Sequence, residues 1–322
     1  MFMSSTTEQT AASLNDSARW SLNLDVYRRF AAAQGVRLHE TESSLWFEKR
    51  RFFLDSVPPH RRIRLRPGEA QGLFRRGAAV VRYTCEEAQG SPSFEFICDD
   101  KNFGFDSLAS EARRRVRRGL ANCDIRSVDF ALLAREACAI NRSVLARHNR
   151  ATAFLRDEAQ WKSYMALCEQ LSNVGAYGAF VDGRLCAFAV TILIEDYCYL
   201  FHTHAHSDYL KYSPMNALCF TITKEMLARP DVACVSQGLE SFVRRPGLES
   251  FKMGMGYRKR PIGRNILVNP LLRPLLSRPA LWVAESFFKR VRPSLVEHLS
   301  LLSKARNIDH HRASAANAIH QA

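Results

Sequence analysis

The sequence lacks the features that mark exported, disulfide-bonded or membrane-spanning chains. Its nine cysteines include no Cys-x-x-Cys pair, so neither a disulfide framework nor a zinc cluster is indicated, and we expect reduced thiols in the core. Residues 1–18 contain no basic segment followed by an apolar run, which argues against a signal peptide. The longest conspicuous apolar run, Leu185 to Ile194, falls well short of the ~20 residues of a transmembrane helix. We therefore expect a cytoplasmic protein.

The chain is strongly basic. Its 46 Lys and Arg against 32 Asp and Glu give a formal net charge of +14, which favours anionic partners such as nucleic acid, phosphorylated cofactors, acidic carrier proteins or a membrane surface. Two segments concentrate this charge: residues 113–118 hold five arginines, and residues 258–292 hold nine Lys or Arg against one acid. A charge run is most often a solvated face, so charge alone does not choose among these partners.

Apolar periodicity separates a strand-rich first third from a remainder that mixes helices and strands. Residues 36–98 contain short alternating runs interrupted by proline and glycine, which is typical of strands and loops. Residues 109–120 and 128–148 show helical spacing, and Ser127 or Asp129 is available to cap the second of these helices. The length of 322 residues exceeds the roughly 100–200 residues of one domain and so favours two domains.

An antiparallel meander is predicted in the second half of the chain. In residues 176–206, an Asp-Gly turn and a Glu-Asp turn separate three apolar runs, and Asp-Gly between alternating runs is among the stronger hairpin signals. A helix is predicted over residues 213–228, with Ser213 as its N-cap and Pro214 at its first position. A further strand is predicted at residues 232–237.

Three segments carry a resemblance to a known family: ASEARRRVRRGLANCDIR, KYSPMNALCFTITKEML and GLESFKMGMGYRKRPI. Their order within residues 100–268 is similar to that of the GNAT superfamily of N-acyltransferases, and most of all to its FemAB-like (BioF2-like) branch. The resemblance implies an α/β (α+β) fold, in which a GNAT-like twisted mixed sheet is flanked by helices and preceded by a degenerate GNAT-like unit. We accordingly expect a tail at 1–18, the degenerate unit at 19–125, an acyltransferase domain at 126–270, a basic helical segment at 271–302 and a tail at 303–322.

The resemblance also implies a bacterial-type N-acyltransferase that moves an acyl group onto an amine acceptor. The donor that it implies is acyl-CoA, with acyl carrier protein and aminoacyl-tRNA as alternatives. Members that use acetyl-CoA usually carry a glycine-containing loop where the pyrophosphate meets a helix N-terminus, but the corresponding stretch here has no glycine. Donor binding at this helix start is expected of Lys211, Ser213, Met215, Asn216 and Ala217.

Three histidines lie at the end of the third strand of the meander. His202, His204 and His206 alternate with other residues, so in a strand all three point to one face. By the resemblance this strand lines the acyl-transfer cleft, where a histidine is suited to take the ammonium proton of the acceptor. Two alternatives stay open: polar residues where a strand leaves the sheet, or ligands of a metal ion. No cysteine or carboxylate ligand set accompanies them, so no metal is expected.

Two further side chains are candidates for acid–base chemistry. Glu240 comes shortly after the predicted strand at 232–237, where a partly buried carboxylate can act as base or orient the amine. The alternative for Glu240 is a salt bridge to Arg244 or Arg245. Tyr257 lies in the closing segment, and its hydroxyl can protonate a leaving group, while the alternative is a core aromatic.

Basic residues supply candidates for contacts with an anionic substrate, namely Arg113, Arg117, Lys252 and Arg258. Residues 281–292 alternate apolar and basic positions, so peripheral contact with an anionic membrane is one interpretation and a packed C-terminal helix is the other. The rival to an enzyme is a non-enzymatic basic module that binds RNA or an anionic membrane surface. The sequence leaves this choice open.

Overall fold

The computed structural model describes residues 25, 28, 29, 31 and 32 and the ranges 35–148, 153–241 and 246–272. The expected tails at 1–18 and 303–322 and the amphipathic segment at 281–292 lie outside the described residues, as do Arg244 and Arg245.

The helices and strands follow one another in a mixed order. They are β1 (Leu38–Glu40), β2 (Leu45–Arg50), β3 (Phe53–Val57), α1 (Glu69–Arg75), β4 (Val80–Cys85), β5 (Ser91–Cys98), α2 (Ser110–Asn122), β6 (Asp124–Ser127), α3 (Phe130–Arg147), α4 (Ala153–Arg156), α5 (Glu158–Glu169), β7 (Val174–Val181), β8 (Arg184–Ile194), β9 (Tyr197–Ala205), α6 (Pro214–Ala228), β10 (Cys234–Leu239), α7 (Pro246–Gly254) and β11 (Arg258–Val268). The strand-rich first third and the helices near 109–120, 128–148 and 213–228 are confirmed.

The chain divides into two compact units that alternate along the sequence. Unit 1 contains Phe96–Gly238 and Gly247–Lys259. Unit 2 contains Arg37–Glu95, Leu239–Pro246 and the chain from Arg260. This division differs from consecutive domains that meet at residue 125, because the chain returns to unit 2 after β10 and again in β11.

Unit 2 is a mixed sheet in the order β1-β2-β3-β4-β11. Strands β3 and β4 are parallel, and the other neighbours are antiparallel. Its core includes Trp46, Leu54, Leu73 and Val81, all nearly or fully buried. Helix α1 packs on this core through buried Leu73 and partly buried Phe74.

The sheet of unit 1 has the order β10-β9-β8-β7-β6. Strands β6 to β9 are antiparallel neighbours, whereas β9 and β10 are parallel. Asp182 and Gly183 join β7 to β8 with φ of 50° and 75°, the left-handed pair that a type I′ hairpin turn requires. The predicted antiparallel meander is therefore confirmed.

Helices cover both faces of the unit 1 sheet. On one face α3 and α5 bring Leu133, Ile140 and Trp161 against Phe188 and Val190 of β8. On the other face, α6 packs Leu218 and Ile222 against the alanines of β7 and β8. Because β8 is buried on both sides, its sequence is almost continuously apolar rather than alternating.

Helix α2 joins unit 1 through a close contact with α6. A Cβ added at Gly119 would lie 2.6 Å from the Ser213 carbonyl oxygen and 2.7 Å from the Ala217 Cβ, so only glycine allows this approach. Helix α2 is thereby held against the start of α6, which explains why residues 110–122 group with unit 1 and not with the strand-rich segment that precedes them.

All nine cysteines are free and buried, which confirms the prediction of reduced thiols in the core. Within the described residues, no helix combines the length and the hydropathy required to span a bilayer.

Candidate active site

A local opening of the unit 1 sheet defines the candidate site. Strands β9 and β10 pair in parallel only from Tyr197 opposite Cys234 to Tyr199 opposite Ser236. Beyond these pairs β9 continues to Ala205 with β8 as its strand partner on the other side. The edge of β9 from Leu200 onward is therefore not paired with β10.

A β-bulge occurs at the same level. Val190 pairs with His202 and Thr191 with Leu200, so Phe201 is an extra residue in β9. A bulge bends its strand and increases the local twist. Phe201 is 44% exposed at this bulge.

His202 and His204 follow the bulge and share one face of β9. The Tyr164 hydroxyl lies 3.2 Å from His202 Nε2, and Asn141 Oδ1 lies 2.7 Å from His204 Nδ1. Burial lowers the pKa of His202 to about 3, with the neighbouring His204 as a second cause. Burial, Arg147 and His148 lower the pKa of His204 to about 4. Both imidazoles are neutral at pH 7 and suited to accept hydrogen bonds rather than to retain an ammonium proton.

His206 lies just beyond β9, which ends at Ala205. It lies at the start of the turn Ser207–Tyr212, where its Nδ1 accepts the Asp208 backbone N–H at 3.4 Å. Of the three histidines, His202 and His204 therefore lie within β9, and His206 follows it.

A buried polar cluster lies beside the point where β10 leaves β9. Lys252 on α7 donates from its ammonium group to the Gln237 carbonyl oxygen at 2.7 Å, and the same Nζ lies 4.5 Å from the centre of the Phe96 ring. Burial lowers the pKa of Lys252 to about 8. Lys252 thus binds Gln237, which is the first residue of β10 after its pairing with β9 ends.

Tyr257 belongs to the same cluster. Its side chain is 1% exposed, and its hydroxyl lies 2.6 Å from Thr223 Oγ1. Because the Thr223 hydroxyl donates to the Cys219 carbonyl oxygen at 2.6 Å, Tyr257 is the donor in the bond to Thr223. Burial raises the pKa of Tyr257 well above its usual value. Its proton is held by Thr223 inside the core.

The start of α6 is well packed. Ser213 has a left-handed φ of 58°, and its carbonyl oxygen accepts the backbone N–H groups of Asn216 and Ala217 at 3.2 and 3.4 Å. Its side chain makes no capping hydrogen bond, although Ser213 is the N-cap residue as predicted. The amides of Asn216 and Ala217 are therefore engaged within the helix start.

The remaining donor-site candidates differ in exposure. Asn216 Nδ2 donates to the Met255 sulfur at 3.5 Å, and Met215 packs partly buried against the apolar core on that face. Lys211 is exposed, with Nζ 5.0 Å from the centre of the Tyr212 ring. Lys211 is thus the cation at this helix start that faces solvent.

Glu240 lies in unit 2. The Ser93 hydroxyl donates to its Oε2 at 2.9 Å, and Arg264 donates to its backbone carbonyl at 2.9 Å. Burial lowers the pKa of Arg264 to about 10, and Arg82 adds to this effect, while Asp55 and Glu240 oppose it. Glu240 thus belongs to a group of partly buried charges in unit 2, whereas the histidines belong to unit 1.

Many of the candidate basic residues have acidic or aromatic partners. Arg258 makes two bonds to Asp99, the shorter of 2.5 Å, and Arg117 lies over the Phe105 ring at 5.5 Å. Arg113 donates to the Leu108 carbonyl oxygen at 3.3 Å. Two further basic residues of the second charged segment also pair with acids, Lys259 with Glu249 and Arg260 with Glu95. Much of the described part of that segment is therefore neutralised locally.

Several residues of the site carry no recognisable sequence signal. Asn141 is a polar residue at a core position of a helix. Apolar periodicity shows that it departs from the pattern but does not show what it contacts. Tyr164 and Gln237 are unremarkable in the sequence, and the bulge at Phe201 has no local motif. In the described part of the chain, no group of three or more His, Cys, Asp or Glu side chains is arranged to hold a metal ion.

Comparisons with known proteins agree with this architecture. Residues 107–252 match the family model described as an acetyltransferase (GNAT) domain. A search of curated protein sequences found no match. The fold is similar to the crystal structure of FemX, with a TM-score of 0.53 and 9% identity over 77% of this chain and 92% of that one.

A second similar structure is the C-terminal domain of a putative lysylphosphatidylglycerol synthetase from Agrobacterium fabrum. Its TM-score is 0.53, with 13% identity over 81% of this chain and 90% of that one. At these identities the two structures show a shared fold, a mixed sheet flanked by helices. Residues 107–252 thus match a GNAT acetyltransferase domain, and the fold is the mixed sheet flanked by helices that the two similar structures share.

Proposed function

We propose that the protein is an N-acyltransferase in which the opening between β9 and β10 receives the acyl donor and an amine acceptor. The observation that carries this proposal is the end of parallel pairing at Tyr199 and Ser236, together with the bulge at Phe201. Backbone N–H groups along the edge of a strand can donate to the oxyanion that develops on the acyl carbonyl. A cleft inside the sheet also keeps these donors fixed before the reaction begins.

The reaction needs no net proton from the protein. A neutral amine attacks the acyl carbonyl, the C–N bond forms and the bond to the leaving group breaks. The proton lost by the nitrogen is the one gained by the leaving thiolate or alkoxide. We assign His204, with His202 beside it, to accept a hydrogen bond from the attacking amine, because both are neutral acceptors on the strand that borders the opening.

The other candidate residues are assigned roles other than the contact that His202 and His204 make with the amine. Lys252 holds the Gln237 carbonyl where β10 leaves β9, and so fixes one edge of the opening. Tyr257 is left out of proton transfer, since its hydroxyl proton is held by Thr223. Glu240 remains a proposed base or orienting group for the amine, supported by its carboxylate and by its position directly after β10.

We propose acyl-CoA as the donor, with acyl carrier protein and aminoacyl-tRNA as the alternatives. All three present an acyl group on a phosphate-bearing carrier. Lys211 at the start of α6 and Arg117 on α2 offer charge to such a carrier. The start of α6 offers fewer backbone N–H groups to a phosphate than a glycine-rich loop does, because two of its amides already donate to the Ser213 carbonyl oxygen.

Thermal shift measurements identify the donor. The protein is heated with acetyl-CoA, longer acyl-CoAs, acyl carrier protein or bulk tRNA, and a ligand at 100 times its dissociation constant stabilises by ~2.7 kcal/mol. The donor that binds is then incubated with an amine panel, and N-acylated products are detected by mass spectrometry. Binding without any acylated product contradicts the enzyme and favours a binding module.

Substitutions then test the site. We expect His204→Ala to lower turnover about tenfold or more, since general acid–base groups contribute roughly 10²- to 10⁴-fold. His206→Ala is the matched control, because His206 lies outside the strand and is expected to leave turnover unchanged. Glu240→Gln tests the second candidate in the same assay. Wild-type turnover in both His204→Ala and Glu240→Gln removes these residues from the mechanism.

A further inference from the structure

Asn141 is a polar side chain placed inside the core of unit 1. It is 0% exposed on α3, on the same helix face as the buried Ala137 and Val144. Its Nδ2 has no hydrogen-bond partner among the described residues. A leucine at this position would avoid the cost of an unpaired buried donor, so the amide is retained at the expense of stability.

The amide oxygen of Asn141 explains why an asparagine occupies this buried position. Asn141 Oδ1 lies 2.7 Å from His204 Nδ1. An amide oxygen only accepts hydrogen bonds, so Nδ1 of His204 must carry the proton. In a neutral imidazole the lone pair is then on Nε2, which has no hydrogen-bond partner in the described part of the chain.

The groups around His204 keep the ring neutral. Arg147 and His148 at the end of α3 and His202 on β9 are the titratable or charged groups that face it, and none is a carboxylate. The Phe188 ring of β8 packs against the imidazole with 5.3 Å between the ring centres. Nothing on these elements stabilises an imidazolium, so the choice between two neutral tautomers is left to Asn141.

We infer that Asn141 is a positioning residue that holds His204 as its Nδ1–H tautomer and so presents an unprotonated Nε2 to the N–H of the acceptor amine. The contact between Nε2 and the amine rests on the proposed function. The Nδ1–H tautomer follows from the geometry of Asn141 and His204 alone.

Nitrogen NMR of the full chain labelled with ¹⁵N histidine tests the assignment. Long-range proton–nitrogen correlations distinguish the two neutral tautomers, and comparison with His204→Ala identifies the His204 signals. We expect the Nδ1–H pattern in the wild type. Asn141→Leu removes the acceptor and is expected to shift His204 toward the Nε2–H tautomer, while the melting temperature stays equal or rises.

Asn141→Asp keeps an acceptor and adds charge. We expect it to retain the Nδ1–H tautomer and to raise the pKa of His204, because a carboxylate stabilises the imidazolium. Ser143→Ala is the matched control on the same helix. It removes the bond from Ser143 to Ser207 at 2.9 Å and leaves His204 unchanged.

Two outcomes overturn the inference: an Nε2–H pattern in the wild type, or the same tautomer in wild type and Asn141→Leu. Failure of the proposed function is seen separately. If the tautomers behave as expected and His204→Ala keeps wild-type turnover, Asn141 positions a histidine that does not take part in acyl transfer.

Discussion

Lys252 donates to the Gln237 carbonyl oxygen at 2.7 Å, and Gln237 is the first residue of β10 beyond its pairing with β9. The bond connects α7 to the strand that forms one edge of the opening. Since Lys252 is buried and its ammonium also lies over Phe96, the charged end of the contact is partly shielded from solvent. The position of this edge therefore depends on a charged side chain held inside the unit.

Lys252→Met is expected to change how stability depends on pH. Burial lowers the pKa of Lys252 to about 8 in the folded protein, from an ordinary value of 10.5. Between these values the unfolded chain binds a proton that the folded chain does not, so this group makes stability rise with pH across that window. The rise is at most about 3 kcal/mol, since one pKa unit is worth ~1.4 kcal/mol.

Urea unfolding of both proteins at pH 7.5 and pH 10 measures this effect. The stability of the wild type relative to Lys252→Met is expected to increase at the higher pH. Exposed Lys224 provides the control, and Lys224→Met should follow the wild-type pH dependence. An identical difference between wild type and Lys252→Met at both pH values contradicts the shifted pKa.

Tyr257→Phe tests the role of a hydroxyl that is bonded inside the core. Removing it leaves the Thr223 oxygen without its donor, and we expect a loss of roughly 1–2 kcal/mol in unfolding free energy with turnover unchanged. A double-mutant cycle with Thr223→Val measures the interaction free energy between the two hydroxyl groups. A large loss of turnover at wild-type stability would instead restore Tyr257 as the acid for the leaving group.

Gly119→Ala probes the contact between α2 and the start of α6. The added methyl meets backbone at 2.6 Å and the Ala217 Cβ at 2.7 Å, so we expect a destabilisation of about 1–3 kcal/mol from overpacking. Gly72→Ala in α1 is the control, because nothing lies within 4 Å of its new methyl group. There we expect a gain of roughly 0.5–1 kcal/mol from helix propensity, measured by thermal unfolding.

The double variant Arg114→Glu with Arg117→Glu tests whether α2 contacts an anionic macromolecule. If tRNA binds there, the affinity should fall steeply with salt, with a log–log slope of ~0.7–0.9 per phosphate contact. The variant should then bind tRNA more weakly and show a shallower slope. Arg229→Glu changes an exposed arginine outside α2 and serves as the control. Equal slopes in variant and wild type exclude α2 as the contact surface.

Sequence signals predicted the turns and helix caps that are formed by residues close together in the chain. Asp182 and Gly183 adopt the left-handed angles that their hairpin turn needs, and Asp129 accepts the Leu132 N–H at 2.6 Å as the cap of α3. Even here a choice was open between Ser127 and Asp129, and the structure selects Asp129. The order of strands and helices that resembles the GNAT superfamily is built from such signals.

The candidate site was predicted only in part. His202 and His204 share a strand face because alternation is a local property, but the bulge before them and the end of the strand before His206 depend on pairing with β8. Lys252 was recognised as basic, whereas its bond to Gln237 joins residues 15 positions apart. Such contacts have no sequence period and therefore no pattern to detect.

By itself the sequence determined several of the helices and strands, the position of the thiols in the core, and the resemblance to an acyltransferase family. Those properties depend on turn chemistry, periodicity and composition, each of which acts within a few residues. Tertiary structure alone decided that β9 and β10 separate, that Asn141 contacts His204, and that two units alternate along the chain. These features arise where distant segments compete for the same backbone partners and the same core volume, and that competition is settled only when the chain is folded.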